Sequence, residues 1–372
     1  TSVYVGIRPQ HLINFGFSMN YLISTFWKVR IQSVFIAVFG VFAFKLIGLP
    51  LPFLFGPMAA LLLAAVAGVQ LRGATFVSDT SRAILGVAIG AAITPALVHQ
   101  LPAMGLSMGI MPLFILIAGV IGVPYFKKTC GFDTTTAYYC AMPGGLQDMV
   151  LFGKEAGGKP RTISLVQATR LLAFVTITPF LLTHLYGASL YNPVGVPAKE
   201  LPPSELLTMG ILALSGWFLG LRIKLFGAPM MGPMILATFA SLTGLLNVRP
   251  PAEAILFAQF FIGLNIGAHY SGITLEEIRK DVLSGLGFVV ILGLICAAFI
   301  NFISYFKLGD PVSVFLAYAP AGQSEMAVFA IVVGADLGFV VAHHLVRIVL
   351  VIIGAPLAAA WINSMEKTTK FQ

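Results

Sequence analysis

Two short stretches of the sequence combine a proline, glycine residues and an acidic residue inside otherwise apolar runs. They are Met142-Pro143-Gly144-Gly145-Leu146-Gln147-Asp148 and Ala319-Pro320-Ala321-Gly322-Gln323-Ser324-Glu325. Proline removes a backbone donor and glycine loosens a helix, so each run is predicted to be two half-helices joined by a turn. Half-helix N-termini suit anions, unwound carbonyls suit cations, and an acid can bind a proton or a cation. The alternative is that both turns are only tight helix-packing kinks.

An arginine follows each acid at the same distance. Arg170 lies 22 residues after Asp148, and Arg347 lies 22 residues after Glu325. This spacing allows the next helix to return antiparallel and to bring the arginine beside the acid. Two interpretations stay open. The pairs are either buried, neutralising ion pairs, or the acids bind a proton or cation while the arginines hold an anionic substrate or the acids.

Neutral polar residues and histidines accompany these charges. Gln167 and His344 lie about one helical turn before the arginines. Adjacent residues on a helix diverge by about 100 degrees, so His343 and His344 predict a proton relay or a structural hydrogen bond in preference to a shared metal ion. The candidate substrate or ion-binding residues are Pro143, Gly144, Gly145, Gln147, Asp148, Arg170, Pro320, Gly322, Gln323, Ser324, Glu325, His344 and Arg347. No catalytic residue, metal ligand or cofactor is predicted.

Membrane-spanning helices are predicted to hold these turns. Of the 372 residues, 58% are hydrophobic and 10% charged, whereas soluble domains carry about a quarter charged residues. A spanning helix needs about 20 mainly apolar residues. Ten runs are predicted to cross the membrane: 31–49, 51–71, 83–100, 103–126, 162–184, 205–221, 227–247, 254–272, 282–306 and 337–362.

The distribution of basic residues predicts how the two broken runs, 134–153 and 311–334, meet the membrane. If the N-terminus is inside and these runs re-enter, 16 of the 22 Lys and Arg residues lie inside and 3 outside. If the runs cross instead, 12 lie inside and 7 outside. Because cytoplasmic loops collect basic residues, re-entrance is favoured, with both termini in the cytoplasm. The same rule explains the net charge of +8 without a nucleic-acid partner.

The second half of the chain repeats the first at an offset of 177 residues. The matched pairs include Gly86 with Gly263, Asp133 with Asp310, Pro143 with Pro320, Asp148 with Glu325 and Arg170 with Arg347. Five crossings per copy is an odd number, so the second copy enters the membrane from the opposite side. Inverted repeats with broken helices that meet near the midplane are a recurrent plan of secondary transporters.

The predicted fold is an all-α polytopic membrane protein made of two inverted repeats. Each repeat has about five transmembrane helices and one broken re-entrant helix. The predicted segments are an unassigned N-terminal segment 1–30, a first repeat 31–185, a connecting loop 186–204, a second repeat 205–362 and a cytoplasmic tail 363–372.

The paired turns and arginines resemble those of the AbrB-duplication family of bacterial membrane proteins, whose members are often labelled ammonia monooxygenase or regulator. The resemblance covers nearly the whole chain after residue 30 and includes the Gly-Pro-Met and Pro-Gly-Gly-Leu-Gln-Asp-Met segments. Asp148 stands where family turns often have Glu. The resemblance implies a bacterial inner-membrane protein with a transport function and no settled substrate. The oxygenase label fits poorly, because six scattered histidines do not supply a copper or iron site.

The leading hypothesis is a secondary transporter of a small solute, with anions among the candidates, driven by H⁺ or Na⁺ across the bacterial inner membrane. The alternative is a membrane-embedded regulator or channel without coupled transport, and an oxidoreductase is the weakest hypothesis. No Gly-x-x-x-x-Gly-Lys-Ser/Thr segment is present, so ATP-driven pumping by this chain is not expected. The expected partners are a small-molecule or ion substrate and the lipid bilayer, with a homodimer as an open alternative and no nucleic acid.

Overall fold

The structure, a computed structural model, describes residues 9–73, 75–190, 193, 195–225 and 227–370. Every regular element in these ranges is a helix, and no strand occurs in them. This confirms the predicted all-α class.

The helices fall into two consecutive sets of eight within the described residues. The first set is α1 (Pro9–Ile47), α2 (Pro52–Val66), α3 (Thr75–Gly90), α4 (Pro95–Gly109), α5 (Met111–Pro124), α6 (Thr134–Ala141), α7 (Leu146–Glu155) and α8 (Pro160–Tyr186). The second set is α9 (Pro203–Arg222), α10 (Ala228–Leu242), α11 (Ala252–Ala268), α12 (Leu275–Glu277), α13 (Leu283–Tyr305), α14 (Pro311–Tyr318), α15 (Gln323–Val333) and α16 (Leu337–Lys370). A π-helical turn, Tyr125–Thr129, follows α5, and another, Ile278–Val282, joins α12 to α13.

Six helical segments in the described residues are long and apolar enough to cross a membrane. They are Trp27–Ile47, Pro102–Thr129, Pro160–Tyr186, Pro203–Arg222, Leu275–Tyr305 and Leu337–Gly354. The apolar helices α2 and α10 have 15 residues each. A helix of that length extends about 22 Å, which is shorter than a hydrocarbon core of about 30 Å. The chain is therefore a multi-pass membrane protein with both full-length and short apolar helices.

Some helix limits differ from the predicted runs. The predicted crossing 83–100 is wrong as a single helix, because α3 ends at Gly90 and α4 begins at Pro95. Proline disfavours a helical conformation in the residue before it but fits the first helical turn, so Pro95 starts a new helix. At the N-terminus, α1 continues through the predicted limit at residue 30, and residues 1–8 lie outside the described residues. At the other end, α16 continues past residue 362 to Lys370, and residues 371–372 lie outside the described part.

The first Pro–Gly run folds back on itself. Helices α6 and α7 are separated by residues 142–145, and we call them hairpin 1. The carboxylate of Asp133 caps α6 by accepting from the backbone N–H of Thr136 at 2.8 Å. The hydroxyl of Thr136 accepts from the backbone N–H of Lys159 at 3.0 Å. Lys159 comes shortly after hairpin 1 in the chain, so the chain leaves hairpin 1 beside the first turn of α6.

The second Pro–Gly run has the same construction at the matching positions. Helices α14 and α15 form hairpin 2, and residues 319–322 separate them. Asp310 caps α14 by accepting from the backbone N–H of Ser313 at 3.0 Å. The Ser313 hydroxyl accepts from the backbone N–H of Asp336 at 3.0 Å. Each of these residues lies 177 positions after its counterpart in hairpin 1.

Helices from the two halves exchange contacts in a reciprocal way. Gly86 of α3 lies so close to the Met230 carbonyl of α10 that a Cβ atom would clash with it. Gly263 of α11 lies in the same way against the Leu54 carbonyl of α2. Helix α1 packs on α2 and α9 packs on α10, so α1–α3 and α9–α11 form one group of helices, here called the scaffold. The two hairpins pack with α4, α5, α8, α13 and α16 in a second group.

Aromatic side chains hold hairpin 2 within the second group. Tyr318, at the end of α14, packs edge-on against Phe114 of α5 with ring centroids 5.8 Å apart. Its hydroxyl donates to the Ser107 carbonyl at 2.5 Å. Because both ends of this side chain are engaged, the last turn before the Pro–Gly break has a fixed position.

Candidate functional site

A cavity of about 430 Å³ lies between the scaffold and the two hairpins. Helices α3, α10 and α11 form one wall, and the first turns of α7 and α15 form the other. The polar residues that line it are Ser78, Asp79, Arg82, Gln147, Asp148, Asn265, His269, Gln323, Ser324 and Glu325. Both Pro–Gly turns therefore present their acids to the same space.

The acids occupy equivalent positions in the two hairpins. Asp148 is the third residue of α7, and Glu325 is the third residue of α15. Each carboxylate folds back over the glycine that precedes its helix, and a Cβ atom on Gly145 or Gly322 would clash with it. A carboxylate in this position stabilises a helix N-terminus.

The surroundings of the two acids differ. Asp148 is half-buried, whereas Glu325 is 5% exposed. The Oε2 atom of Glu325 is buried and has no hydrogen-bond partner among the described residues. The neighbouring Gln323 is 8% exposed, and its Nε2 is also buried without a partner in that part of the chain. The repeat-equivalent acids are thus unequal in hydration and pairing.

Arg170 bonds to the turn of hairpin 1. Its Nη1 donates to the Met142 carbonyl at 2.9 Å, and its Nη2 donates to the Gly144 carbonyl at 2.7 Å. These carbonyls are left without helical partners where α6 ends. A guanidinium presents donors in a planar fork, which suits two neighbouring acceptors.

Arg347 makes the same pair of bonds in hairpin 2. Its Nη1 donates to the Ala319 carbonyl at 2.7 Å, and its Nη2 donates to the Ala321 carbonyl at 2.8 Å. Neither arginine pairs with Asp148 or Glu325 within the described residues. The neutralising ion pair suggested by the 22-residue spacing is therefore absent there, because the unwound carbonyls take the terminal donors.

Gln167 and His344, one helical turn before Arg170 and Arg347, bond to the helices that lead into the same Pro–Gly turns. Gln167 Nε2 donates to the Tyr139 carbonyl at 2.6 Å, and His344 Nε2 lies 3.0 Å from the Leu316 carbonyl. Arg347 Nη2 lies 3.3 Å from His344 Nδ1. Since the guanidinium can only donate, Nδ1 accepts and Nε2 carries the proton, which makes His344 a neutral structural residue.

The adjacent histidine has different partners. His343 Nε2 lies 3.0 Å from Ser107 Oγ, and its Nδ1 lies 2.8 Å from the Phe339 carbonyl. The two rings thus diverge as expected. Among the described residues, no group of three or more His, Cys, Asp and Glu side chains is arranged to hold a metal ion.

The predicted site residues divide into two layers. Those lining the cavity are Gly145, Gln147, Asp148, Gly322, Gln323, Ser324 and Glu325. Pro143, Gly144, Arg170, Pro320, His344 and Arg347 are not part of the cavity wall. The arginines and His344 lie behind the turns and fix their shape.

Arg82 is not among the predicted site residues, because it is one of the 16 basic residues that the charge distribution places in the inner loops. Arg82 belongs to α3 and lines the cavity. Its Nη1 donates to Gln147 Oε1 at 3.0 Å and lies 3.4 Å from Asp79 Oδ1. Its charge also acts on both Asp148 and Glu325. The three-residue spacing from Asp79 to Arg82 was the available signal, since residues at this spacing are neighbours on a helix.

Asn265 and His269 were also missed. Both lie at the end of α11, four residues apart, and line the cavity. Their repeat counterparts are Ala88 and Ala92. Because both counterparts are alanine, the repeat pattern does not indicate a polar wall that only one half provides.

The fold and the cavity define an all-helical, multi-pass membrane protein in which two hairpins from different halves meet at one polar space. Residues 53–363 match the profile of the AbrB family, described as transition state regulatory protein AbrB. The chain therefore belongs to the AbrB family, which confirms the family predicted from its motifs.

Two relatives also match most of the chain. The uncharacterized protein YhjN of Bacillus subtilis (strain 168) is 28% identical over 289 residues, which cover 72% of this chain and 74% of YhjN. A protein of Escherichia coli (strain K12), named as a regulator, AbrB, is 24% identical over 324 residues. That match covers 86% of this chain and 92% of the relative.

Proposed function

We propose that this chain is a secondary transporter of a small solute across the bacterial inner membrane, coupled to H⁺ or Na⁺. The observation that carries the proposal is the meeting of two acid-bearing hairpin tips, one from each half, at one cavity beside the scaffold. Broken helices that place backbone ends and acids at a central site are a recurrent feature of ion-coupled transporters. A membrane-embedded group of acids is also costly and is usually retained for function.

The proposed topology has re-entrant hairpins and inverted repeats. The pocket at the base of hairpin 1 has three basic residues, Lys159, Arg161 and Lys280, whereas the pocket at the base of hairpin 2 has one, Lys307. Basic residues collect on the cytoplasmic side. Hairpin 1 would therefore start and end at the cytoplasmic side, and hairpin 2 at the outer side.

The two repeats line the cavity unequally, which suits alternating access. On the proposed cytoplasmic side, Arg82 and Asn265 line the cavity. Their repeat counterparts, Gln259 and Ala88, are fully buried. If the two repeats exchanged conformations, the cavity would close around Arg82 and open around Gln259. Such an exchange moves a bound solute from one side to the other.

The test is uptake by purified protein in proteoliposomes. Currents on a solid-supported membrane and uptake of labelled amino acids, amines and carboxylic acids would be measured with and without imposed H⁺ and Na⁺ gradients. A transporter should give saturable, gradient-dependent uptake that the double substitution Asp148→Asn and Glu325→Gln abolishes. Glu200→Gln, on an exposed acid of the connecting loop, is the matched control.

Two outcomes would replace the proposal. Gradient-independent currents that do not saturate would indicate a channel. If no solute or ion moves in any arm while the protein remains folded, the transport function is wrong. A regulatory role, as the name of the Escherichia coli relative suggests for that protein, would then be the better hypothesis.

A further inference from the structure

The first turns of α7 and α15 would be anion sites if their acids were absent. These helices have 10 and 11 residues, and their N-terminal turns line the cavity. Free N–H groups and the helix dipole make a helix N-terminus attractive to anions. Here the carboxylates of Asp148 and Glu325 fold back over Gly145 and Gly322, at the N-termini of the two helices. The chain itself thus supplies the anion at each tip.

The remaining charges on the cavity wall leave an excess of negative charge. The described residues that line it include three carboxyl groups, Asp79, Asp148 and Glu325, but one guanidinium, Arg82. Arg82 is already engaged, since it lies 3.4 Å from Asp79 and donates to Gln147. The other titratable side chain facing this space is His269.

Arg170 and Arg347 do not restore the balance at the cavity wall. Their terminal nitrogens donate to turn carbonyls, and neither residue lines the cavity. An anionic solute would meet three carboxyl groups and the guanidinium of Arg82, which already contacts Asp79 and Gln147. A cationic solute would meet carboxylate oxygens.

Glu325 and Gln323 supply the most specific sign of a ligand. Glu325 Oε2 and Gln323 Nε2 are buried polar atoms without partners among the described residues, on side chains that line the cavity. A buried carboxylate oxygen without a donor is strongly disfavoured unless a proton or a cation joins it. Asp148, the equivalent acid of hairpin 1, is less buried and directly follows Gln147, to which Arg82 donates a hydrogen bond.

We propose that the cavity binds a small cation, either an alkali-metal ion or a protonated amine, with Glu325 as its principal ligand, and that it rejects anions. This inference rests on the transport function proposed above and removes anions from the candidate solutes. Gln323 would bind an acceptor on an organic cation, such as a hydroxyl or carbonyl oxygen. Asp148 would contribute the weaker, hydrated half of the site.

The experiment measures binding without requiring transport. Protein in lipid nanodiscs would be titrated with benzylammonium chloride, benzyl alcohol and potassium benzoate, which are similar in size and differ in charge. NaCl and KCl arms separate an alkali-metal ion from an organic amine. Thermal unfolding and calorimetry should show saturable binding of benzylammonium or Na⁺ to the wild-type chain, and no effect of benzoate beyond that of KCl.

Variants then locate the cation. Glu325→Gln should weaken cation binding at least about tenfold, because a charge-assisted hydrogen bond is lost. Asp148→Asn should have a smaller effect, and Glu200→Gln should behave as wild type. Glu325→Asp keeps the charge on a shorter side chain and should bind with intermediate affinity, which covers the case that the Gln variant does not fold.

Three results would overturn the inference: saturable benzoate binding, no binding of any cation to the wild-type chain, or cation binding that Glu325→Gln leaves unchanged. The inference and the transport function fail in different ways. Glu325-dependent cation binding without movement of any solute would reject only transport. Gradient-driven uptake of carboxylic acids by a chain that binds neither Na⁺ nor benzylammonium would reject only the cation site.

Discussion

Arg82 and Gln147 join the scaffold to hairpin 1 through a hydrogen bond of 3.0 Å from Arg82 Nη1 to Gln147 Oε1. The bond connects α3 with the first turn of α7 at the wall of the cavity. Any movement of hairpin 1 relative to the scaffold must stretch or break it. The same guanidinium also acts electrostatically on both cavity acids.

The first prediction concerns this link. Arg82→Gln places the residue of its repeat counterpart, Gln259, at position 82. The substitution should raise the affinity for a cation, because it removes one positive charge from the cavity wall. The unfolding free energy should change by no more than about 1 kcal/mol, since the ion pair with Asp79 is partly exposed. Calorimetric titration with benzylammonium or Na⁺ checks the affinity, and a weaker affinity would contradict the charge argument.

The second prediction concerns the arginines behind the turns. Arg170→Ala or Arg347→Ala removes two charge-assisted hydrogen bonds and leaves turn carbonyls buried, so each should cost about 3 kcal/mol of stability. Arg170→Lys should lose less, because an ammonium can still reach one carbonyl but cannot fork to both. Chemical unfolding in detergent micelles measures these differences. Equal stability of Arg170→Ala and wild type would show that the turn does not depend on the guanidinium.

The turns were predictable from sequence because their cause is local. Proline and glycine at 143–145 interrupt a helix whatever surrounds them, and the interruption occurs at 142–145. The partner of Arg170 was not predictable in the same way. Its spacing from Asp148 also brings it near the carbonyls of Met142 and Gly144, and sequence distance cannot choose between these acceptors. Three-dimensional packing placed the carbonyls within reach of the guanidinium.

The position of Arg82 shows a different limit. Counting basic residues by loop treated it as a marker of the cytoplasmic side, yet it lies within α3 at the cavity. An arginine inside a helix can serve a binding site, whereas the positive-inside rule concerns basic residues in the loops. The repeat does not indicate a functional arginine at this position, because the matching residue is Gln259.

The third prediction concerns the glycine before Glu325. Gly322→Ala introduces a Cβ atom where the Glu325 carboxylate lies, so the carboxylate must move away from the N-terminus of α15. Cation binding should fall at least about tenfold if this carboxylate is the ligand. Gly210→Ala is the matched control, because a Cβ there meets no atom within 4 Å. The control should be neutral or slightly stabilising, since alanine favours a helix more than glycine does.

The fourth prediction concerns the path of hairpin 1 through the membrane. Lys128→Cys, before hairpin 1, and Lys154→Cys, in the last turn of α7, should both react with an impermeant thiol reagent from the cytoplasmic side. Lys199→Cys, in the connecting loop, should react from the outer side. The experiment needs a background in which Cys130, Cys140 and Cys296 are replaced. Reaction of positions 128 and 154 from opposite sides would mean that hairpin 1 crosses the membrane.

The last prediction concerns Gln259, whose side chain is fully buried in α11 with no partner for either polar atom among the described residues. A buried, unpaired amide costs about 1–3 kcal/mol. Such a residue is tolerated more readily if another state of the protein hydrates it, and the exchange proposed for the two repeats would bring it into an outward-facing cavity. Gln259→Cys should therefore react slowly with an impermeant reagent from the outer side, and faster under a cation gradient that favours that state. Asn265→Cys, on the wall of the present cavity, should respond in the opposite sense. If the reactivities of both positions stay constant under every gradient, the cavity does not alternate between the two sides.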